Sequence, residues 1–496
     1  MPSVVLVHGY SETSLGAYHN IPALLNQSGF DTVVLSAFNS LDDFVTLDDL
    51  ATALELRVRD LEATGFNVRD SAFVCHSTGA LITRRWILDR CAAAGTPSKA
   101  AVPSRLVTVA GANHGSSLAE MGKTPLGYLE KLVLKHVLTV GKQVLTDLEY
   151  GSDFIRRLNE EWMQAWNAPD PLWKSVLSFS MGGDFIGNNP AVRLFWASCE
   201  SGSDNTVRIS GANLNYTVLR ANPNDEPPTI VSTILSQRAP HLILRGYSHF
   251  DTDTGILSAT TTEDKALQAL LTALNTSAAA YPALADTWAT NNAAWTTANP
   301  TLANSTLVFD LRNQFGISID DCMIAFWDEA DIIGNPQDVQ LAAQRTALPG
   351  FVPPPDEPPE QQAIRESVIT ASLSSSDAIL AHSPIHNTVA QGAYSFYLNY
   401  PTWVGDGTRH HAVYIEAVSD SQFILYRPTI YRPSVDINRL IQPNQFTYAN
   451  ITLNRNPDSE FALYRWAPLL TVDQLEAAVW PPFPNLPERV PPRPNT

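Results

Sequence analysis

Ser77 stands near the centre of "FVCHSTGALITRRW", residues 73–86. Phe-Val-Cys reads as the end of a buried strand. A glycine follows two residues after the serine, and an apolar-periodic run then reads as a helix. A serine on a sharp strand-to-helix turn is exposed for attack, and G-x-S-x-G is the usual signature of that turn. Here Cys75 occupies the first glycine position, so a thiol and a hydroxyl both stand near the bend. A small thiol at the end of a buried strand is expected to be inert, because burial disfavours the thiolate. That leaves Ser77 Oγ as the attacking atom.

A serine nucleophile needs a base, a residue that orients the base, and donors for the developing oxyanion. After a nucleophile on this kind of turn, an acid and then a histidine should follow along the chain. His249 in "YSHFDTDTGIL" comes after the apolar run "HLILRGY" and fits the base. His241 begins that run, so it belongs at the strand's opposite end. Asp204, in the polar turn "ESGSDNTVRISGANL", fits the acid, with Asp184 in "MGGDFIG" as its competitor. The oxyanion donors are expected from the Thr78 N–H, directly after the nucleophile, and the Tyr10 N–H in "VHGY". His76 and His114 are assigned to packing or to supporting hydrogen bonds.

These residues need a scaffold that brings positions 10, 77, 204 and 249 to one edge. The first half supplies alternating strand and helix patterns: "SVVLV", "NIPALLNQSGF", "DTVVLS", "TLDDLATALELRVRDLEATGF", "SAFVC", "GALITRRWILDRCAAAG" and "RLVTVAGA". Fully apolar strands between helices predict an α/β domain with a parallel sheet buried on both faces. Thr46 and Asp48 are candidate caps of the second helix. From about residue 115 to 168 the alternation yields to a helical insertion. Leu129, Leu132, Val133, Val137 and Val140 give it more apolar surface than one packed face needs, so it is either a helical hairpin or a cap over an apolar substrate. The α/β domain is expected over residues 1–275, with an Ala-, Thr- and Asn-rich linker of weak helical pattern over 276–304. Alternating segments including "SVITASL", "YSFYLNY" and "HAVYIEAV" predict an antiparallel β-sandwich over 305–470, and residues 471–496 a proline-rich tail.

A net charge of -18 argues against nucleic acid and against anionic membrane surfaces as partners. Four cysteines with no C-x-x-C pair predict neither a disulfide framework nor structural zinc. No basic leader precedes "SVVLVHGY" and no apolar stretch is long enough to span a bilayer. The expectation is a cytoplasmic chain, or a secreted one whose leader has been trimmed.

"VVLVHGY", "CHSTGALITRRW", "VAGANHGSSLA" and "GSDNTVRISGANLNY", in that order, resemble bacterial α/β-hydrolase lipases and carboxylesterases over about residues 1–275. The resemblance implies ester hydrolysis through an acyl-enzyme on Ser77, with His249 as base, Asp204 as its partner, and no metal or organic cofactor. The expected partner is an apolar ester, presented as a lipid or, with an open cleft, on a polymer surface. Acyl transfer, thioester or amide cleavage would use the same machinery, and a non-catalytic binding scaffold is the alternative from outside enzymology. Two departures from the pattern are Cys75 and the β-rich second half, which is no part of the core fold.

Overall fold

The computed structural model describes residues 3–10, 18–34, 38, 42–116, 119, 141–187, 200–220, 233–319, 322–328, 353, 355, 357–382, 393–407, 409, 411–417, 424–426, 429–431, 441–453 and 455–457. Six strands form a parallel sheet: β1 (Ser3–Val7), β2 (Asp31–Val34), β3 (Ser71–His76), β4 (Arg105–Val109), β5 (Leu177–Gly183) and β8 (His241–Leu244), in the order β2-β1-β3-β4-β5-β8. Strands β6 (Tyr216–Arg220) and β7 (Thr233–Ser236) leave this sheet for another.

Side chains alternate across a strand, so each apolar run serves two cores. Val5, Val7, Phe73 and Cys75 face α2 (Leu47–Ala63), α3 (Gly79–Ala94) and α4 (Asp153–Trp166). Val4, Leu6, Val74 and Val107 face α1 (Ile21–Gln27), α5 (Lys265–Asn275) and α6 (Tyr281–Ala298). Helices on both faces explain why β3 and β5 are buried along their whole length. Thr46 caps α2 in a reciprocal capping box with Asp49, and Gly95 ends α3 in the left-handed region at φ +83°.

Residues 276–304, expected as a linker with weak helix, hold the full 18-residue helix α6. Its Tyr281 and Trp288 enter the second core, and Asn292 bonds the backbone of β8 at both Ile243 N and His241 O. Alanine's high helix propensity and the buried Tyr281, Trp288 and Trp295 outweigh the polar Thr and Asn content.

The chain after residue 304 adds strands β9 (Asn304–Asn313), β10 (Cys322–Asp328), β11 (Ile379–His382), β12 (Ala393–Asn399), β13 (His411–Ala417), β14 (Ile424–Tyr426), β15 (Thr429–Tyr431), β16 (Phe446–Leu453) and β17 (Arg455–Pro457). The larger sheet is mixed rather than antiparallel: β11-β12-β9-β16-β6-β7, with β16 running parallel to both β9 and β6. Leu307, Phe309 and Leu311 of β9 pack with Phe326, Val413 and Ile415 of the three-stranded sheet β10-β13-β15. Val308 points the other way, with Tyr216, Phe446 and Tyr448, onto the core that holds α4. "SVITASL", expected as a strand, lies inside helix α7 (Pro359–Ser376). Its β-branched residues allowed either reading, and the helix is nucleated upstream by "PEQQAIRE".

In the insertion, Lys142–Asp147 and α4 are helical. Leu129, Leu132, Val133, Val137 and Val140 lie outside the described residues, as do the tail and Cys199. Among the described residues no helix is long and apolar enough to cross a membrane.

Candidate active site

Ser77 sits between β3 and α3 with φ +53°, a left-handed conformation that a non-glycine residue adopts only when its surroundings impose it. The surroundings are backbone hydrogen bonds. The Ser77 N–H donates to Val109 O at 3.2 Å, while its carbonyl accepts from Ala80 N at 3.1 Å and Ala112 N at 3.2 Å. Gly79 is required because α3 starts against the end of β1: a β-carbon there would lie 2.7 Å from Val7 O and nearer still to His8 O. The Gly9 loop is equally close, since a β-carbon on Gly9 would stand 2.7 Å from Ser77 Cβ. The Gly9 loop thus packs against the serine, and Thr78 follows Ser77 as the N-cap of α3.

The other two groups arrive from distant segments. His249 Nε2 is 3.0 Å from Ser77 Oγ, and its Nδ1 is 2.8 Å from Asp204 Oδ2. Ser77, His249 and Asp204 are 7%, 3% and 1% exposed, so the row is buried, with the serine its most exposed member. The remaining Asp204 oxygen accepts from Thr206 N at 3.0 Å and Val207 N at 2.7 Å, which keeps this buried carboxylate hydrogen-bonded. The His249 N–H donates to Asp204 O at 3.0 Å, so the two loops are joined by backbone as well as side chain. A carboxylate held at Nδ1 makes Nδ1–H the donor to it and turns Nε2 toward the hydroxyl as acceptor. Asp184 is engaged elsewhere: it accepts from Gly246 N at 2.6 Å and from Trp295 Nε1 at 2.9 Å.

Cys75 is fully buried and its thiol donates to Thr83 Oγ1 at 3.1 Å. Burial pushes the thiol up to about 12. It is therefore protonated, and it points into the core rather than toward the serine side of the turn. His76 packs against His249 with ring centroids 4.7 Å apart. Burial, and then the neighbouring His249 ring, push His76 well below the ordinary imidazole range, so it stays neutral beside the base. The Phe38 N–H donates to His8 Nε2 at 2.9 Å, which leaves the proton on His8 Nδ1 to donate to Gly9 O at 2.8 Å. This sets the loop facing Ser77, and nothing in the sequence marked His8 for that task. Phe250, beside the base, is 39% exposed and presents its ring edge-on to His249.

His114 belongs to a buried network: its ring is 2.8 Å from Tyr448 Oη through Nδ1 and 2.9 Å from Asn213 O through Nε2. Asn159 of α4 donates to Tyr448 Oη at 3.0 Å and accepts from Arg84 of α3 at 2.8 Å. Elbow helix, insertion and far sheet therefore meet at one set of polar groups. Among the described residues no His, Cys, Asp and Glu cluster could hold a metal ion.

No protein-family model matches the chain, and no curated protein does. Among solved structures it is similar to phospholipase PlaB from Legionella pneumophila, with 25% identity and a TM-score of 0.73 over 94% of this chain and 96% of that one. The same phospholipase in complex with thio-NAD gives 24% identity and a TM-score of 0.72 over the same shares. A mature lipase from Bacillus licheniformis, BlEst2, shares 19% identity over 43% of this chain and 79% of its own, with a TM-score of 0.33. The phospholipase likeness spans both halves of the chain and is consistent with the α/β-hydrolase lipase and esterase family that the sequence resembles.

Proposed function

We propose that this protein is a serine lipolytic hydrolase that cleaves carboxylic esters of apolar acids. The observation that carries the reading is the buried row Asp204–His249–Ser77, with contacts of 2.8 and 3.0 Å, ending on a serine held at φ +53°. Ser77 Oγ attacks the ester carbonyl while His249 Nε2 takes its proton. Asp204 stabilises the imidazolium so formed and holds the ring in place. The Thr78 and Tyr10 N–H groups receive the oxyanion, Thr78 aided by its place at the N-terminus of α3. Collapse of the tetrahedral intermediate expels the alcohol, which takes the proton from His249. Water, deprotonated by the same ring, then releases the acid and restores Ser77.

Phospholipid acyl esters lead the substrate list, because the likeness covering nearly the whole chain is to a protein described as a phospholipase. Triglycerides, short soluble esters and polyester emulsions complete the panel. The test is that panel with wild type and Ser77→Ala, read beside covalent labelling by a fluorophosphonate. Ester cleavage and labelling in wild type, both lost in Ser77→Ala with the fold retained, is the expected result. Cleavage that survives in Ser77→Ala would sink the proposal.

A further inference from the structure

Asp204 lies in a tight turn closed by Ile209 N–H to Gly202 O at 2.9 Å and Asp204 N–H to Val207 O at 3.1 Å. The turn is gripped from outside by residues more than ninety positions further along. Tyr397 of β12 donates its hydroxyl proton to Ser201 O at 2.5 Å. Asn304 of β9 donates to the same carbonyl at 2.9 Å. Gly202, at φ +74°, lies so close that a β-carbon there would stand 3.0 Å from both Asn304 Nδ2 and Tyr397 Oη. Directly after Val207, whose N–H donates to Asp204, Arg208 forms a bidentate pair with Glu200 at 2.9 and 2.8 Å, joining the two ends of the turn. Its guanidinium is clamped between the rings of Tyr397 and Tyr150, at 4.0 and 4.3 Å from their centroids. A cation between two aromatic faces, shielded from water, is held more firmly than an exposed one.

We propose that Tyr397 is a positioning residue for the Ser77–His249–Asp204 row. Its ring seats Arg208 and its hydroxyl fixes the Ser201 carbonyl, so the far sheet sets where Asp204 stands. Because Asp204 binds His249 through both side chain and backbone, a shift of the turn carries the base away from Ser77 Oγ. This inference rests on the proposed function: it concerns how the row is held, not whether Ser77 is the nucleophile.

The full chain is compared as wild type, Tyr397→Leu, Tyr397→Phe and Phe396→Leu, with a short-chain nitrophenyl ester and a fluorophosphonate that counts active molecules. Phe396 neighbours Tyr397 on β12 but faces the opposite core, against Phe309 and Phe326, so its truncation loosens the sheet without touching the turn. A base displaced by about an ångström predicts that Tyr397→Leu lowers kcat by ~10²-fold per labelled molecule, with KM within ~2-fold and slower labelling. Tyr397→Phe keeps the ring against Arg208 and recovers most of that loss, with a residual deficit of ~3- to 10-fold from the missing hydroxyl bond. Phe396→Leu lowers the Tm but keeps kcat per labelled molecule. The proposal is overturned if Tyr397→Leu loses only Tm, or if Phe396→Leu lowers kcat equally. If Tyr397→Leu does not fold, an unchanged kcat in Tyr397→Phe overturns it alone. Failure of wild type to label at all would instead remove the underlying reading, and that outcome is seen before any variant is made.

Discussion

Gly183→Ala tests the site without touching any reacting atom. Gly183 ends β5 between the two loops that carry the acid and the base. A β-carbon there would lie 2.9 Å from the Tyr247 carbonyl carbon, nearer still to its oxygen, and 3.2 Å from Asp204 Cβ. Carbon atoms in ordinary contact sit about 3.5–4.0 Å apart, so the Tyr247 peptide must retreat by at least ~0.6 Å. That peptide is not free to move, because its carbonyl accepts from Phe185 N at 3.1 Å. Tyr247 precedes His249 by two residues, and the displacement therefore reaches an imidazole poised 3.0 Å from Ser77 Oγ. Misplacement by about an ångström from a remote change costs ~10²-fold in rate, whereas overpacking costs ~1–3 kcal/mol in stability. The assay is kcat on a soluble ester divided by the fraction that a fluorophosphonate titrates, with thermal unfolding in parallel. A kcat within about twofold of wild type, in a folded variant, would refute the claim that β5 sets the distance between base and nucleophile.

Other perturbations have distinct signatures. Cys75→Ala is expected to retain kcat within ~3-fold while Ser77→Ala loses more than ~10³-fold, and native Cys75 should resist alkylation until the protein unfolds. Tyr448→Phe removes the hydroxyl shared by His114 and Asn159, and urea titration should show a loss of about 1–3 kcal/mol from the polar groups left buried without it. Asp147, pushed up to about 6 chiefly by burial, contributes stability that is complete below pH 4 and lost as pH rises through 6. Asp147→Asn keeps an acceptor for the Leu47 N–H, so it should stabilise the protein by about 1–2 kcal/mol at pH 8 and by little at pH 4. Equal Tm differences at the two pH values would count against that assignment.

The sequence carried what is local or repetitive. Fully apolar strands alternating with amphipathic helices announced the parallel sheet, and Ser77, Asp204 and His249 were singled out by order and by their turns. The sequence favoured Asp204 over Asp184 without showing what occupies each, which depends on a partner: Trp295 bonds one carboxylate and His249 the other. The destination of β6 was equally invisible. "YTVLR" is a good strand anywhere, and only tertiary pairing puts it beside β16 instead of in the sheet that surrounds it in sequence. Arg208 and Tyr397 left no signal because a cation between two rings needs three segments that the sequence does not place together. The same holds for Gly183, an ordinary strand-end glycine until the Tyr247 carbonyl is set against it.

The pairing of β6 with β16 also bears on when the protein can become active as it is made. By the time His249 has left the ribosome, all three residues of the row exist, yet Tyr216 must wait for Phe446, about 230 residues later, before its strand acquires a neighbour on that side. Until then β6 presents an unpaired edge, and neither Tyr397 nor Tyr448 has been synthesised to hold the acid's turn or the His114 network. Maturation of the site is thus tied to late translation. A chain that stops before β12 carries Ser77, Asp204 and His249 without the Tyr397 and Tyr448 contacts described above, and an unpaired strand edge of this kind is prone to aggregate.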